Sequence, residues 1–529
     1  MFQQKVLLSF IASILTLSAA SFAAAKPNII LVTLGSVRAD RVGFLGAKHP
    51  TPNLDGLAKQ GIVFEHAYAQ APLTVVSDAT ILSGTYQQTH GSTELGGPLA
   101  ADVPWLSEVL HGRGYRTVAF AGSSFLDPRK GFATGFDRGF DVYETANGTA
   151  QLQHVVAWLM GKQNGPFFLW VNIASSGRTG MSSTDLAIGK ILDTLRSQKL
   201  FDDSIVVVGS DHGESEGAHG EDTHGIFLYD ETIHVPLLMK LPQNQLAGKR
   251  VNARVRTLDI APTVLEAAGI SVPSQMQGQS LLRIAKTNAS SDLPVYSGTE
   301  FPHQAFGWSA LESWRSGKYL YIRAPKPELY DLTSDPNATH NIAQNSKAIA
   351  QTLAAQLDAF DAHFSRGKNS GTQLSSSEMQ KLASLGYVGL QKAPSTTAAE
   401  GTDPKDVIAL ANQTLGAISD MDRGKLDQAI VAFRQVLAKQ PELYLAQYGL
   451  GKALAQKQHY GDAIEHLHKA IQLQPDSSWA NFEIGRVLIK TGDFKTAAVH
   501  LEIAANRMPE FAEAHALLIE AQSQLGRKK

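Results

Sequence analysis

The sequence has no cysteine in 529 residues. That excludes disulfides, thiolate metal sites, a cysteine nucleophile and a lipid-modified N-terminal cysteine. It also has no excess of either charge: 47 Lys and Arg stand against 49 Asp and Glu, a formal net charge of −2. A bulk basic surface for nucleic acid is excluded, and so is an acidic tail. Long hydrophobic runs are missing as well. No segment after the N-terminus approaches the roughly 18 consecutive apolar residues of a membrane span. What is there is globular in composition, 43% apolar and 18% charged. A chain this long calls for two or three domains.

Residues 1–25 read as a secretory signal. Lys5 gives a positive start, and Val6 to Leu17 is apolar except for Ser9, Ser13 and Thr16. Small residues end the segment at Ala23-Ala24-Ala25, so cleavage is expected there in preference to an uncleaved anchor. The mature chain is then expected to be exported, soluble and free of membrane spans.

Near residue 390 the composition changes. Residues 391–404 are small, polar and proline-bounded, a linker. Beyond them the sequence repeats. Pro441, Pro475 and Pro509 are spaced by 34, as are Ala429, Ala463 and Ala497. Phe433, Leu467 and Leu501 keep the same period, and so do Gly451 and Gly485. This pattern resembles tetratricopeptide repeats, with three expected within 405–529 and a capping helix at Glu513 to Leu525. Such stacks present a groove to a protein partner. The repeats could instead pack on the first domain or associate with themselves.

Residues 26–390 alternate short apolar runs with helical patterns. The runs are Asn28 to Thr33, Phe167 to Val171, Ile205 to Val208 and Val235 to Met239. They imply an α/β domain with a mostly parallel sheet flanked by helices. Short alternating runs such as Lys318 to Arg323 suggest a smaller antiparallel subdomain over about 290–390. Parallel sheets bind ligands beyond the carboxyl ends of their strands. The densest polar cluster, Asp211 to Gly225, follows one such end and holds three His, five carboxylates and four Gly. Oxygen and imidazole donors of this kind suit Ca²⁺, Mg²⁺, Mn²⁺ or Zn²⁺. A merely solvated polar loop is the other reading.

Residues 27 to about 390 resemble the sulfatase family of the alkaline-phosphatase superfamily. They are similar, more narrowly, to bacterial sulfatase-like proteins with repeats behind the hydrolase domain, which implies a periplasmic or secreted location. The resemblance rests on Pro27 to Thr33 with Arg38-Ala39-Asp40, Ala71-Pro72-Leu73-Thr74 with Ile81 to Gly84, and Gly135 to Asp141. Ser210-Asp211-His212-Gly213-Glu214, Glu221 to Gly225 and Pro327 to Leu332 continue it. It implies a metal-held nucleophile attacking a sulfate or phosphate ester. The nucleophile position falls on Thr74, and metal ligands fall on Asp211 and His212. His224 would steady the anion or leaving group.

The sequence departs from the family at several of these places. Gly35 stands where an acidic metal ligand is expected. Ala174-Ser175-Ser176-Gly177 replaces an Asp-Pro-His-type segment. Thr74 cannot mature to formylglycine, and Asp78 puts negative charge near an anion site. Glu214, Glu216 and Glu221 are read as solvated, His303 as a surface histidine, and Asp40 as a structural partner of Arg38. The expectation is a pseudoenzyme acting in binding or scaffolding, with an anionic ester ligand and a partner on the repeats. The alternative is an active metal-dependent ester hydrolase using Thr74.

Overall fold

A computed structural model describes residues 26–92, 99–174, 180–287, 293–364, 381–382 and 400–527. The expected signal segment, Ser175 to Gly177 and most of the expected linker lie outside the described residues. Among the described residues no helix is long and apolar enough to cross a membrane.

The apolar runs form the centre of an eight-stranded sheet ordered β4-β3-β5-β1-β6-β7-β2-β8. Its strands are β1 (Ile29–Leu34), β2 (Ile62–Tyr68), β3 (Arg116–Ala121), β4 (Val142–Thr145), β5 (Phe167–Ile173), β6 (Ile205–Ser210), β7 (His234–Lys240) and β8 (Lys249–Arg256). Every residue of β1, β5 and β6 is buried. That is why these strands read as continuous apolar runs and do not alternate. β4, β3, β5, β1 and β6 are mutually parallel. β7 is antiparallel to both β6 and β2, the exception within the mostly parallel sheet expected from the sequence. An apolar run carries no direction, so the sequence could not distinguish the two.

The sheet is flanked by helices that include α1 (Thr74–Ser83) and α2 (Met181–Ser197). A second sheet of four antiparallel strands follows: β9 (Val295–Thr299), β10 (Leu311–Ser316), β11 (Tyr319–Arg323) and β12 (Glu328–Asp331). The short helix α3 (Phe301–Phe306) leaves the end of β9.

The C-terminal region is helical throughout. Pairs α4 (Pro404–Asp422) and α5 (Leu426–Lys439), α6 (Tyr444–Gln456) and α7 (Tyr460–Leu473), and α8 (Ser478–Thr491) and α9 (Phe494–Arg507) precede α10 (Ala512–Arg527). The periodic columns are the contacts within pairs. A Cβ on Gly451 would stand 2.7 Å from Leu467 Cγ, and one on Gly485 would stand 2.6 Å from Leu501 Cγ. Only glycine lets these helices approach so closely. A polar column repeats alongside: His466 meets Gln447 at 2.7 Å, and His500 meets Asn481 at 2.8 Å.

The first helices of the pairs face the N-terminal domain. α6 packs on α3, and Trp479 of α8 stacks on Phe132 with ring centroids 4.5 Å apart. Gln474 donates to the Gln304 carbonyl, and Trp308 Nε1 donates to Gln440 at 3.3 Å. Tyr68, Leu73, Phe227, Phe301 and Trp308 share one continuous apolar cluster with the repeats. Of the alternatives open to the repeats, packing on the first domain is the one the structure contains.

Candidate active site

Three neighbouring strands end together. Leu34 of β1 is level with Ile173 of β5 on one side and Ser210 of β6 on the other. Gly35, Ala174 and Asp211 therefore follow side by side at the carboxyl edge of the sheet. Thr74 is brought to the same edge as the first residue of α1, after the extended Leu73. A helix N-terminus favours negative charge through its backbone N–H groups.

Asp211 and His212 are completely buried. Asp211 Oδ1 accepts the Ser36 N–H at 3.0 Å and the His212 N–H at 2.6 Å. Ser36 makes its bond from a left-handed conformation, φ +58°, a strained choice for serine that aims its N–H at the carboxylate. Asp211 Oδ2 is buried with no hydrogen-bond partner. It lies 3.8 Å from His212 Nε2. Burial raises the Asp211 carboxyl to about 6 because a low-dielectric surrounding disfavours its charge.

His212 Nδ1 lies 2.7 Å from the Gly213 carbonyl and so carries the ring proton. Nε2 is then an acceptor, and Thr74 Oγ1 stands 3.2 Å from it. Burial, followed by the charge of His224, lowers His212 to about 3, so the ring is neutral at physiological pH. The His224 ring lies 4.4 Å from that of His212. Its side chain is 29% exposed, and Nδ1 meets Glu214 Oε2 at 3.1 Å. The structure thus brings together Thr74, Asp211, His212 and His224, with Asp211 and His212 buried and Thr74 and His224 partly open to solvent.

The loop carboxylates correct the expectation that they stay solvated. Glu214 holds His224, and Glu216 is paired with Arg41. Glu221 is buried, accepts the N–H groups of Ile226 and Phe227 at 2.8 and 3.2 Å, and is raised by burial to about 7. Left-handed conformations at Glu216, His219 and three glycines, Gly217, Gly220 and Gly225, fold the loop back on itself. That folding is what creates these contacts. Asp78 is also buried and accepts from Asn172 Nδ2 at 3.1 Å, one helical turn from Thr74. Asp40 pairs with Arg38 at 2.7 Å, and His303 Nδ1 meets the Trp308 carbonyl at 3.2 Å.

Some residues of the site had no sequence signal. Ser77 donates to the Asp211 carbonyl at 2.5 Å. Ser210 Oγ accepts the Val37 N–H at 3.0 Å and lies 2.6 Å from the Leu34 carbonyl. Both fix the turn that carries Asp211. A serine at a strand end is too common for either role to be read from pattern alone.

The family resemblance implies a divalent ion at this edge. The orphaned Asp211 Oδ2 and the acceptor nitrogen of His212 are two suitable donors. With Gly35 at the end of β1 and Ala174 at the end of β5, no third joins them among the described residues. Among the described residues no three His, Asp or Glu side chains converge to hold an ion. Such ions take several charged or imidazole donors, and this donor set does not fit one.

Residues 27–176 match the sulfatase family. Residues 220–363 match the C-terminal region of N-sulphoglucosamine sulphohydrolase. Residues 414–478 and 454–518 match tetratricopeptide repeat families. The chain is 26% identical over 421 residues to the ulvan-active sulfatase of Formosa agariphila, covering 63% of this chain and 80% of that protein. It is 32% identical over 187 residues to arylsulfatase K of Rattus norvegicus, covering 33% of each. The match therefore spans only a third of arylsulfatase K. Among solved structures, the phosphonate monoester hydrolase of Agrobacterium radiobacter shares the fold, with a TM-score of 0.55 and 19% identity over 66% of this chain and 98% of that one. Sulfatases generally depend on a metal. The chain carries a sulfatase-family domain followed by tetratricopeptide repeats.

Proposed function

We propose that this is an exported sulfatase-family pseudoenzyme, in which the site binds an anionic sulfate or phosphate ester without turning it over and the chain acts as a scaffold. The observation that carries this reading is the donor set at the ends of β1, β5 and β6. Gly35 and Ala174 flank Asp211 and His212, so one carboxylate and one imidazole remain to chelate an ion. Losing a charged ligand weakens an ion site by several kcal/mol. Thr74 at the start of α1 and the half-open His224 still offer donors to an anion. Export rests on residues 1–25. A protein partner would meet the repeats away from the first-helix face, which the N-terminal domain occupies.

The test is equilibrium binding of Ca²⁺, Mg²⁺, Mn²⁺ and Zn²⁺ to the purified full chain, beside Gly35→Asp. The wild type is expected to hold no stoichiometric ion, and the variant to gain affinity. Stoichiometric binding by the wild type overturns the reading.

A second reading is favoured by one distance, the 3.2 Å between Thr74 Oγ1 and His212 Nε2. Neutral His212 can accept the Thr74 proton while Gly213 fixes its tautomer, which is the arrangement of a hydroxyl nucleophile and its base. This reading predicts ester hydrolysis that is lost in Thr74→Ala.

A further inference from the structure

One face of α4 is turned toward the loop that carries His224. Lys405, Ile408 and Asn412 are spaced i, i+3 and i+7, so they share that face. Asn412 clamps the loop backbone from both sides of its amide. Oδ1 accepts the Asp222 N–H at 3.1 Å, and Nδ2 donates to the Gly220 carbonyl at 2.8 Å. A side-chain amide used this way replaces a strand partner for a loop that has none. Ile408 lies against Gly220, whose φ is +85° and whose added Cβ would sit 3.5 Å from Ile408 Cγ2.

Lys405 reaches the same loop by a longer path. Its Nζ donates to Glu328 Oε1 at 2.8 Å. Glu328 Oε2 accepts the Tyr229 hydroxyl at 2.6 Å, and the Tyr229 ring stacks on His219 with centroids 3.6 Å apart. The clamp closes two residues before His224. Between the clamped positions, Glu221 is itself pinned by the Ile226 and Phe227 N–H groups.

We propose that the first repeat helix is a positioning element of the site, with Asn412 holding residues 219–225 in the conformation that presents His224. The repeats are then a built-in part of the site, and a partner that shifts α4 alters His224 with no contact to the N-terminal domain. Coupling of this kind is reciprocal for binding free energies. The proposal concerns the loop and holds whether the site binds an ester or hydrolyses one.

The experiment is hydrogen–deuterium exchange of the full chain, read over residues 217–226. It is paired with the rate at which diethyl pyrocarbonate modifies His224, measured against the exposed His154. Asn412→Ala is expected to speed exchange of the Asp222 amide about tenfold and to change the His224 rate, since local opening sets both. Asn412→Gln restores an amide and should return both readouts toward wild type. Gln413→Ala, which removes a bond made to Gln435 within the repeats, should change neither. If the alanine variant loses its helices, Asn412→Asp is read instead: it keeps the acceptor for Asp222, loses the donor for Gly220 and should give an intermediate effect. Unchanged exchange and reactivity in a folded Asn412 variant, or an equal change in Gln413→Ala, would overturn the proposal.

Discussion

Replacing Asp211 with asparagine should stabilise the protein at neutral and alkaline pH. The substitution is nearly isosteric. The new Oδ1 still accepts the Ser36 and His212 N–H groups, and an amide nitrogen takes the place of the orphaned Oδ2, 3.8 Å from His212 Nε2. What changes is the buried charge. Burial holds the wild-type carboxyl at about 6 against an ordinary 3.8. A raised carboxyl makes its full contribution below the unfolded value and loses it as pH rises through the folded value. Above pH 7 the wild type therefore carries a penalty of about 3 kcal/mol, at about 1.4 kcal/mol for each pH unit between the two values. In a domain of this size that is roughly 5 °C in the unfolding midpoint. Thermal unfolding in chelator-treated buffer should show the variant above the wild type by that amount at pH 8, with the gap closing near pH 4. A variant no more stable than wild type at pH 8 in that buffer would refute the reasoning, and so would a variant less stable than wild type in buffer without chelator, with the deficit removed when chelator is added. The chelator-sensitive deficit would mean that a cation sits on Asp211 and stabilises the native state by binding it.

Gly485→Ala should destabilise the repeats by about 1–2 kcal/mol, because overpacking against Leu501 outweighs the helix propensity gained. Gly416→Ala, with nothing within 4 Å of its new Cβ, should stabilise by about 0.5–1 kcal/mol; equal effects from both in urea unfolding would contradict the packing argument. Glu221→Ala leaves the Ile226 and Phe227 N–H groups buried without an acceptor and should cost about 2 kcal/mol or more. Glu221→Gln keeps one of the two acceptor oxygens, as the protonated carboxyl does, so a calorimetric midpoint close to wild type is expected below pH 7, with the variant gaining on wild type above it, where the raised carboxyl is charged.

Much of the fold was legible because it is built from local pattern. The buried runs of β1, β5 and β6 and the 34-residue columns state their own geometry, and Gly451 and Gly485 sit against the leucines that share their period. The direction of β7 was not legible, since it depends on how the chain returns from β6. At the site, Asp211, His212 and Thr74 could be placed through the resemblance, and the structure draws them together. The fates of Glu214, Glu216 and Glu221 could not be placed. They depend on left-handed turns in the loop and on Arg41 and His224, none of which a carboxylate in a glycine-rich stretch announces. The docking of the repeats left a faint trace in sequence: α6 carries apolar or small residues on nearly every side, and such a helix needs cover beyond its own stack.

The central claim is that the carboxyl edge of this sheet binds and does not catalyse. The most direct measurement is turnover of aryl sulfates, phosphate mono- and diesters and phosphonates by the purified full chain, with and without added divalent ions, beside Thr74→Ala. The account predicts rates equal to the protein-free blank and identical for both proteins. Turnover by the wild type that disappears in Thr74→Ala would contradict it.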